Sequence, residues 1–482
     1  MDSIKMTTEQ QLPEGWKIER LGDVIDIQGG SQPPKSEFIY EPMEGYIQLL
    51  QIRDFGENGI PTFVPQNRVT KFCDKDDILI ARYGASLGRI VTGLAGAYNV
   101  ALAKTIFDKN LLIKRFVYYL LQTQIFQAPL KMISRSAQNG FAKHEIAHIE
   151  IPIPPLETQQ AIVNKIESLF DEIDEGIGRL KTAAQQIQQY RQSLLKNAFN
   201  GELTKEWRSK HADTLPSENE LLAQIQTTRE QHHAQQLANW QTAVSQWEQN
   251  GKEGKKPSKP STLKKLESIE KLNEIELTEL PNGWFWERLG LMTLGVEYGT
   301  SAKSQPEGKV PVLRMGNMQN GKIDWTDLVY SDNDEEIKQY SLKKGDVLFN
   351  RTNSPELVGK TSIIETDEKA IFAGYLIRIN HLTEITDGRY LTYFLNSMIA
   401  KKYGNFVKTD GVNQSNINGQ KLINYPFVFC SLEEQKEVAN ILEQKLTACD
   451  QLAAELAKQL KQAELLKQAV LKAAFSGSLL DK

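Results

Sequence analysis

Between Glu157 and Asn200, apolar or small residues fall at Ile162, Ile166, Leu169, Ile173, Ile177, Leu180, Ala184, Ile187, Tyr190, Leu194 and Ala198. The spacing alternates between three and four, which draws one stripe along one side of an α-helix. At about 1.5 Å per residue such a helix is roughly 65 Å long. A lone helix with one apolar stripe is unstable in water and needs a partner. The chain supplies one in Glu433–Ser476. Phe199 matches Phe475 at an offset of 276 (475 − 199), and the same offset carries Leu156 to Leu432, Gln159 to Gln435, Asp174 to Asp450, Leu180 to Leu456 and Gly201 to Gly477. The pattern predicts a duplicated coiled-coil helix. Its seam is built by Ile162, Ile166, Ile173, Leu180, Ile187 and Leu194 on one copy and Val438, Leu442, Leu456, Leu460, Leu466 and Val470 on the other, with Lys445 as a polar exception. Gly176-Ile177-Gly178 interrupts the first copy where the second has Leu452-Ala453-Ala454, and predicts close helix approach or a bend.

The repeat extends beyond the helices. Leu12–Gly22 (LPEGWKIERLG) recurs as Leu280–Gly290 (LPNGWFWERLG), a Pro-x-Gly turn ahead of a first strand. Short β-rich runs (Val24–Ile27, Tyr46–Ile52, Asp77–Arg82, Ile371–Ile379) alternate with Gly, Asn and Pro turns. Aromatic helical segments follow at Phe116–Phe126 and Tyr390–Ile399, then Pro-punctuated strands at Ile149–Pro155 and Ile423–Phe429. The fold class is therefore α+β, a tandem of globular domain, long coiled-coil helix, globular domain and long coiled-coil helix with an internal repeat. The divisions are 1–155 for the first domain, 156–208 for the central long helix, 209–279 for a helical insert and linker, 280–430 for the second domain and 431–482 for the C-terminal long helix. Within the insert, Ser217–Gln249 is helical in composition and Gly251–Ser261 (GKEGKKPSKPS) is a basic, Pro/Gly-broken linker.

Composition adds limits. With 40% hydrophobic and 24% charged residues the chain has the make-up of an ordinary soluble protein. The polar start, Met1–Gln11, predicts no signal peptide, and no run of 18 apolar residues predicts a membrane span. Three scattered cysteines (Cys73, Cys430, Cys449) point to a reducing compartment, so a cytoplasmic location is expected. A formal charge of −4 means that any DNA partner must be held by local patches or by the field of another subunit.

The most conspicuous chemical motif is His144-Glu145-Ile146-Ala147-His148, an HExxH. On a helix it sets two imidazoles one turn apart for zinc, with Glu145 as general base and Glu167 available as a third ligand. Here Asn139-Gly140 stands just upstream and a strand begins just after, so the helical context is wrong. No P-loop, dinucleotide fingerprint or GxSxG occurs, and the chain reads as non-catalytic, with no cofactor or metal of its own. What remains is polar chemistry on loops: Arg53, Arg82, Tyr83, Ser86, Arg89, Arg135, Gln138, Asn139 and Lys143 in the first half. In the second half the set is Arg314, Asn317, Arg351, Thr352, Asn353, Lys360, Lys408, Asn413, Gln414 and Asn416. Arg suits the O6/N7 edge of guanine and Asn or Gln the N6/N7 edge of adenine. Lys401 and Lys402 suit phosphates.

These features together resemble one family, the DNA-specificity subunit of type I restriction–modification systems. The resemblance rests on LPEGWKIERLGDV and LPNGWFWERLG, on DILIARYGASLGRI and DVLFNRTNSPELVGKT, and on PIPPLETQQAIVNKI and FCSLEEQKEVANIL. It rests also on the helix ends AFNGELTKEWR and AAFSGSLL, and it covers nearly the whole chain. It implies two target-recognition domains held apart by antiparallel helices, each reading half of a bipartite, asymmetric site in double-stranded DNA. Two methyltransferase subunits and two motor-nuclease subunits are implied as partners, using S-adenosylmethionine, ATP and Mg²⁺. Gln231–Ser261 looks inserted relative to the family's pattern, and no TxxWR follows the second helix. Two other readings stand beside it: a coiled-coil adaptor with two binding heads and no DNA, which leaves the diverged duplication unexplained, and the HExxH zinc hydrolase.

Overall fold

The computed structural model describes residues 12–57, 59–136, 140–254, 256–260, 262, 266, 269 and 277–480, with the side chains of 134–136 also left aside. The chain divides into two compact units, Met1–Ala183 with Glu455–Lys482, and Ala184–Ala454. Each unit takes one globular part and one end of each long helix.

In the first unit, Ile25–Gly29, Leu102–Phe107, Leu79–Ala81 and Ile90–Val91 form an antiparallel sheet in that order. A second sheet runs Phe63–Pro65, Tyr46–Leu50, Gly96–Tyr98, Phe72–Cys73, with Tyr46–Leu50 and Gly96–Tyr98 parallel. The second unit repeats the first sheet with Thr293–Tyr298, Leu376–His381, Val347–Asn350 and Thr361–Ile363, and the parallel contact with Val310–Leu313 and Ile371–Phe372. The ladders match over their last three pairs, with Gly29 opposite Ala103 where Tyr298 lies opposite Ile377, while a bulge between Thr293 and Val296 interrupts only the second. The Ile371–Ile379 run, read from sequence as one strand, is two strands that belong to different sheets. Each aromatic segment is likewise two helices, Lys114–Leu120 and Gln124–Ser136, then Gly388–Leu395 and Met398–Val407.

The long helices span Leu156–Phe199 and Leu432–Phe475, 44 residues each and unbroken. Inside the first unit Lys467 bonds Asp174; inside the second Arg191 bonds Asp450. Advancing 17 residues on one helix (191 − 174) goes back 17 on the other (467 − 450), so the pairing is antiparallel. The offset of 276 carries Asp174 onto Asp450 and Arg191 onto Lys467, so the two ion pairs are repeat mates. The helix ends are buried by the domains: Ile162, Ile166, Val470 and Phe475 in one core, Leu194, Phe199, Val438 and Leu442 in the other. Phe475 packs on Phe116 with centroids 4.9 Å apart, and Phe199 on Phe394 at 5.1 Å.

Between these ends Ile173, Leu180, Ile187, Leu456 and Leu460 are only half-buried, because two helices alone cannot enclose a stripe. The seam prediction fails at Leu466, which is 52% exposed. Lys467 takes that place, its ammonium 5.0 Å from the Phe170 ring centroid while it pairs with Asp174; a lysine stem covers apolar surface while its charge stays wet. Close approach at Gly176 and Gly178 is also corrected: a Cβ added at either would meet nothing within 4 Å.

The two helix starts are locked by equivalent buried glutamines. Gln159 accepts from Ile113 N–H (2.9 Å) and donates to the carbonyls of Leu111 (2.8 Å) and Pro154 (2.9 Å). Gln435 accepts from Asp387 N–H (3.1 Å) and donates to Ile385 (3.0 Å) and Cys430 (2.9 Å). One side chain thus ties the aromatic helical segment, the preceding strand and the long helix together. The second unit adds a buried carboxylate, Glu434, satisfied by Thr204 Oγ1 (2.7 Å), Arg208 Nε (2.9 Å) and Trp284 Nε1 (2.8 Å). Its repeat mate is the uncharged Thr158 (434 − 276).

Replacing Gln435 by Leu leaves one N–H and two carbonyls without partners inside the core, a loss of about 2–5 kcal/mol. Thermal unfolding of the full chain is expected to begin at least about 5 °C lower; a midpoint within about 1 °C of the parent contradicts this role.

Candidate nucleic-acid interface

In the second unit, strand Val347–Asn350 leads directly into Arg351 and then the short strand Thr352–Asn353. That strand pairs with Ser415–Asn416, which in turn pairs with Thr409–Asp410. The result is a hairpin whose tip, Gly411–Gln414, projects into solvent, with Val412 100% exposed. Asn416 Nδ2 donates to Thr352 Oγ1 at 2.7 Å and fixes the base of the hairpin. Lys408 reaches the Pro355 carbonyl (3.4 Å) and Asp410 (3.7 Å). The side chains of Asn413 and Gln414 are exposed and make no hydrogen bond among the described residues, so their amides are open to an external partner. Here the structure brings together Arg351, Thr352, Asn353, Lys408, Asn413, Gln414 and Asn416. Lys360 lies on a separate half-buried cleft with Lys401.

Arg351 is not a free finger. Its guanidinium stacks over Tyr298 at 5.0 Å and donates to the Gly374 carbonyl at 3.2 Å. In the first unit its repeat mate Arg82 donates to the Phe141 carbonyl (3.2 Å) and lies against Tyr83 and Phe141. The residue matching Tyr298 is Gly29, where a Cβ would come 2.8 Å from Arg82 Nη1. The two units thus support the same arginine on different aromatic faces, Tyr298 in one and Tyr83 with Phe141 in the other.

Other nominated residues stabilise loops. Asn317 is 3% exposed and spends its amide on the carbonyls of Asp324 (3.0 Å) and Asp327 (2.8 Å), so its nomination as a base contact does not hold. Arg314 binds Asp327 at 3.0 Å. Arg53 donates to Thr62 Oγ1 at 3.0 Å and Arg89 to the Phe55 carbonyl at 2.8 Å. Burial pushes the neighbouring Asp54 carboxyl up while it caps Gln51 N–H. Lys143 bonds Asp26 and holds that carboxyl below its ordinary range. Tyr83 and Ser86 sit on the turn before Gly88, with Tyr83 exposed. Arg135 belongs to helix Gln124–Ser136, its side chain undescribed, and Gln138 and Asn139 lie outside the described residues. Tyr375 is 51% exposed, and its carbonyl accepts from Arg351 N–H at 3.0 Å.

The HExxH segment is not the helix that zinc chemistry needs. Its helix is Lys143–Ile146, and His148 falls beyond its end. Glu145 accepts from Ala142 N–H at 2.6 Å, and Glu167 is paired with Arg115 at 2.6 Å. Among the described residues no group of three or more His, Cys, Asp and Glu is placed to hold a metal ion.

Residues 13–181 and 298–462 match the family model for the type I restriction modification DNA specificity domain. The chain is 25% identical over 489 residues to the EcoKI specificity subunit of Escherichia coli (strain K12), covering 97% of this chain and 90% of that protein. It is 21% identical to the StySPI specificity subunit of Salmonella potsdam with the same coverage, 97% and 90%. Among solved structures, a chain from a study of complex assembly and conformational transition of the type I R-M system superposes with a TM-score of 0.66 at 17% identity, covering 97% of this chain and 99% of that one. The HsdS subunit from Thermoanaerobacter tengcongensis superposes with a TM-score of 0.51 at 17% identity, covering 98% and 99%.

The double substitution Asn413→Ala with Gln414→Ala removes two open amides and no internal bond. DNA affinity of the full chain with its methyltransferase partner is expected to fall at least about tenfold, as one lost base contact costs about 1–3 kcal/mol, with unfolding unchanged. Unaltered affinity for the cellular target contradicts hairpin reading.

Proposed function

This chain belongs to the type I restriction–modification DNA-specificity family, and on that premise we propose that each compact unit reads one half of a bipartite, asymmetric site in double-stranded DNA. The specificity subunit is non-catalytic. What carries the reading is one frame used twice with different polar ends: matched ladders and mated ion pairs, but Tyr298 where the first unit has Gly29. Identical readers would favour a symmetric site; diverged loops on a matched frame favour two different half-sites.

The long helices then act as a spacer that sets the half-site separation, about one turn or ~34 Å of DNA. The chain directs two methyltransferase subunits, and two motor-nuclease subunits, to the address. S-adenosylmethionine, ATP and Mg²⁺ belong to those partners, and the target adenine is flipped into the methyltransferase. With a formal charge of −4, this chain leaves part of the attraction for phosphate to its partners. Such a complex works in the cytoplasm, and no helix among the described residues is long and apolar enough to cross a membrane.

Gel shift of duplex DNA carrying a randomised core, with and without the methyltransferase, tests the reading. Selected duplexes are expected to share two fixed elements and a gap, and a heptad inserted into either helix to change or abolish the gap while the elements persist. Absence of any selected sequence favours a non-DNA adaptor; an unchanged gap contradicts the spacer role.

A further inference from the structure

The insert helix Glu218–Gln249 is capped by Ser217, whose Oγ accepts from Glu220 N–H while Glu220 returns a bond to Ser217 N–H at 2.8 Å. Its first turns dock on the second unit through Leu221 and Ile225, both in the aromatic core. One turn further, at the position where the same face continues, stands Arg229. It is 8% exposed. Its Nε is shut off from solvent with no hydrogen-bond partner, and no ion pair or hydrogen bond of its guanidinium occurs among the described residues. Burial alone pushes its pKa down, with no carboxylate acting in the opposite direction.

A buried guanidinium normally comes with a carboxylate or several carbonyls, because an unpaired charge in the interior is costly. Arg229 instead lines a cavity of about 440 Å³. The opposite walls carry Tyr298, Asn380 and Asn418, with backbone from Gly419, and no Asp or Glu is among the described lining residues. Tyr298 Oη accepts from Gly419 N–H at 2.7 Å, so its own proton is available to the cavity. Asn418, an exposed residue at the rim, accepts through Oδ1 from Lys421 N–H at 2.9 Å, which leaves its Nδ2 donors unused. Among the described residues the cavity therefore combines one fixed positive charge with hydroxyl and amide groups and no carboxylate. An arginine fork with neutral donors suits a tetrahedral oxyanion, and the size is that of a small-ligand site.

We propose that this cleft, bordered by the insert helix and the Thr293–Tyr298 strand, is a phosphate-binding site centred on Arg229. The phosphate is either a free ligand's, such as a mononucleotide's, or one from the DNA backbone, since Tyr298 also lies beneath Arg351. The site is independent of how the hairpin reads bases. Because its walls come from the insert and from the domain, filling it fastens one to the other.

The test is thermal unfolding of the full chain in phosphate-free buffer, with sodium phosphate or a nucleoside 5′-monophosphate added against chloride of equal ionic strength. Arg229→Met keeps the apolar stem and removes the charge; Arg229→Lys keeps the charge and removes the fork. Without phosphate, Arg229→Met is expected to unfold at or above the temperature of the parent, because an unpaired buried charge is gone. Phosphate at about tenfold its Kd is expected to raise the parent by about 3 °C, the lysine variant by less and the methionine variant not at all. A second arm measures non-specific duplex binding against salt: a log–log slope smaller by about one in Arg229→Met assigns the phosphate to DNA, and an unchanged slope beside a phosphate shift assigns it to a free ligand. If neither phosphate nor duplex distinguishes the parent from Arg229→Met, the site does not exist.

Discussion

A primary amide buried at the start of each long helix is the constraint on which the rest depends. Gln159 and Gln435 each satisfy one N–H and two carbonyls that would otherwise be orphaned where a strand turns into a helix beside an aromatic segment. Glutamine can do this because its side chain carries an acceptor and two donors on one rigid plane. The bonds fix the direction in which each helix leaves its domain, and with it the face the helix shows its partner. Everything downstream inherits that angle: the mated ion pairs Asp174–Lys467 and Arg191–Asp450 and the insertion of Phe475 and Phe199 into aromatic cores.

The seam itself is thin. It is buried mainly at its ends, where a domain covers the helix pair; in between, Cys449 is buried, but Ile173, Leu180, Ile187, Leu456 and Leu460 are half-buried. Surface pairs contribute little stability, so the helix pair holds by its ends. This explains how two glycines persist at Gly176 and Gly178 without any neighbour requiring them. In the second unit the buried carboxylate of Glu434 is satisfied by Arg208 and Trp284.

Much of this was legible in the sequence because it is periodic or repeated. The constant offset of 276 (475 − 199) identified both helices, and their observed limits, Leu156–Phe199 and Leu432–Phe475, differ from the pattern by one residue. Leu466 was misread because a 3–4 stripe permits either 466 or 467, and a lysine stem covering Phe170 is invisible to a polar/apolar code. The polar loop residues were harder. Asn413 and Gln414 look like Asn317 in sequence, yet the first two extend from a hairpin and the third closes a turn from inside. Arg229 reads as a solvent residue on a Gln-rich helix, and only the packed domain reveals that it is enclosed. The Arg208–Glu434 pair joins residues 226 apart, beyond any local pattern.

We propose that one frame, duplicated along the chain, carries two different readers of one DNA site. Single-molecule sequencing of N6-methyladenine in cells expressing this chain with its methyltransferase tests it most directly. The account predicts one methylated motif made of two unlike elements separated by a constant unspecified gap. A palindromic or uninterrupted motif, or a gap that varies from site to site, would contradict it.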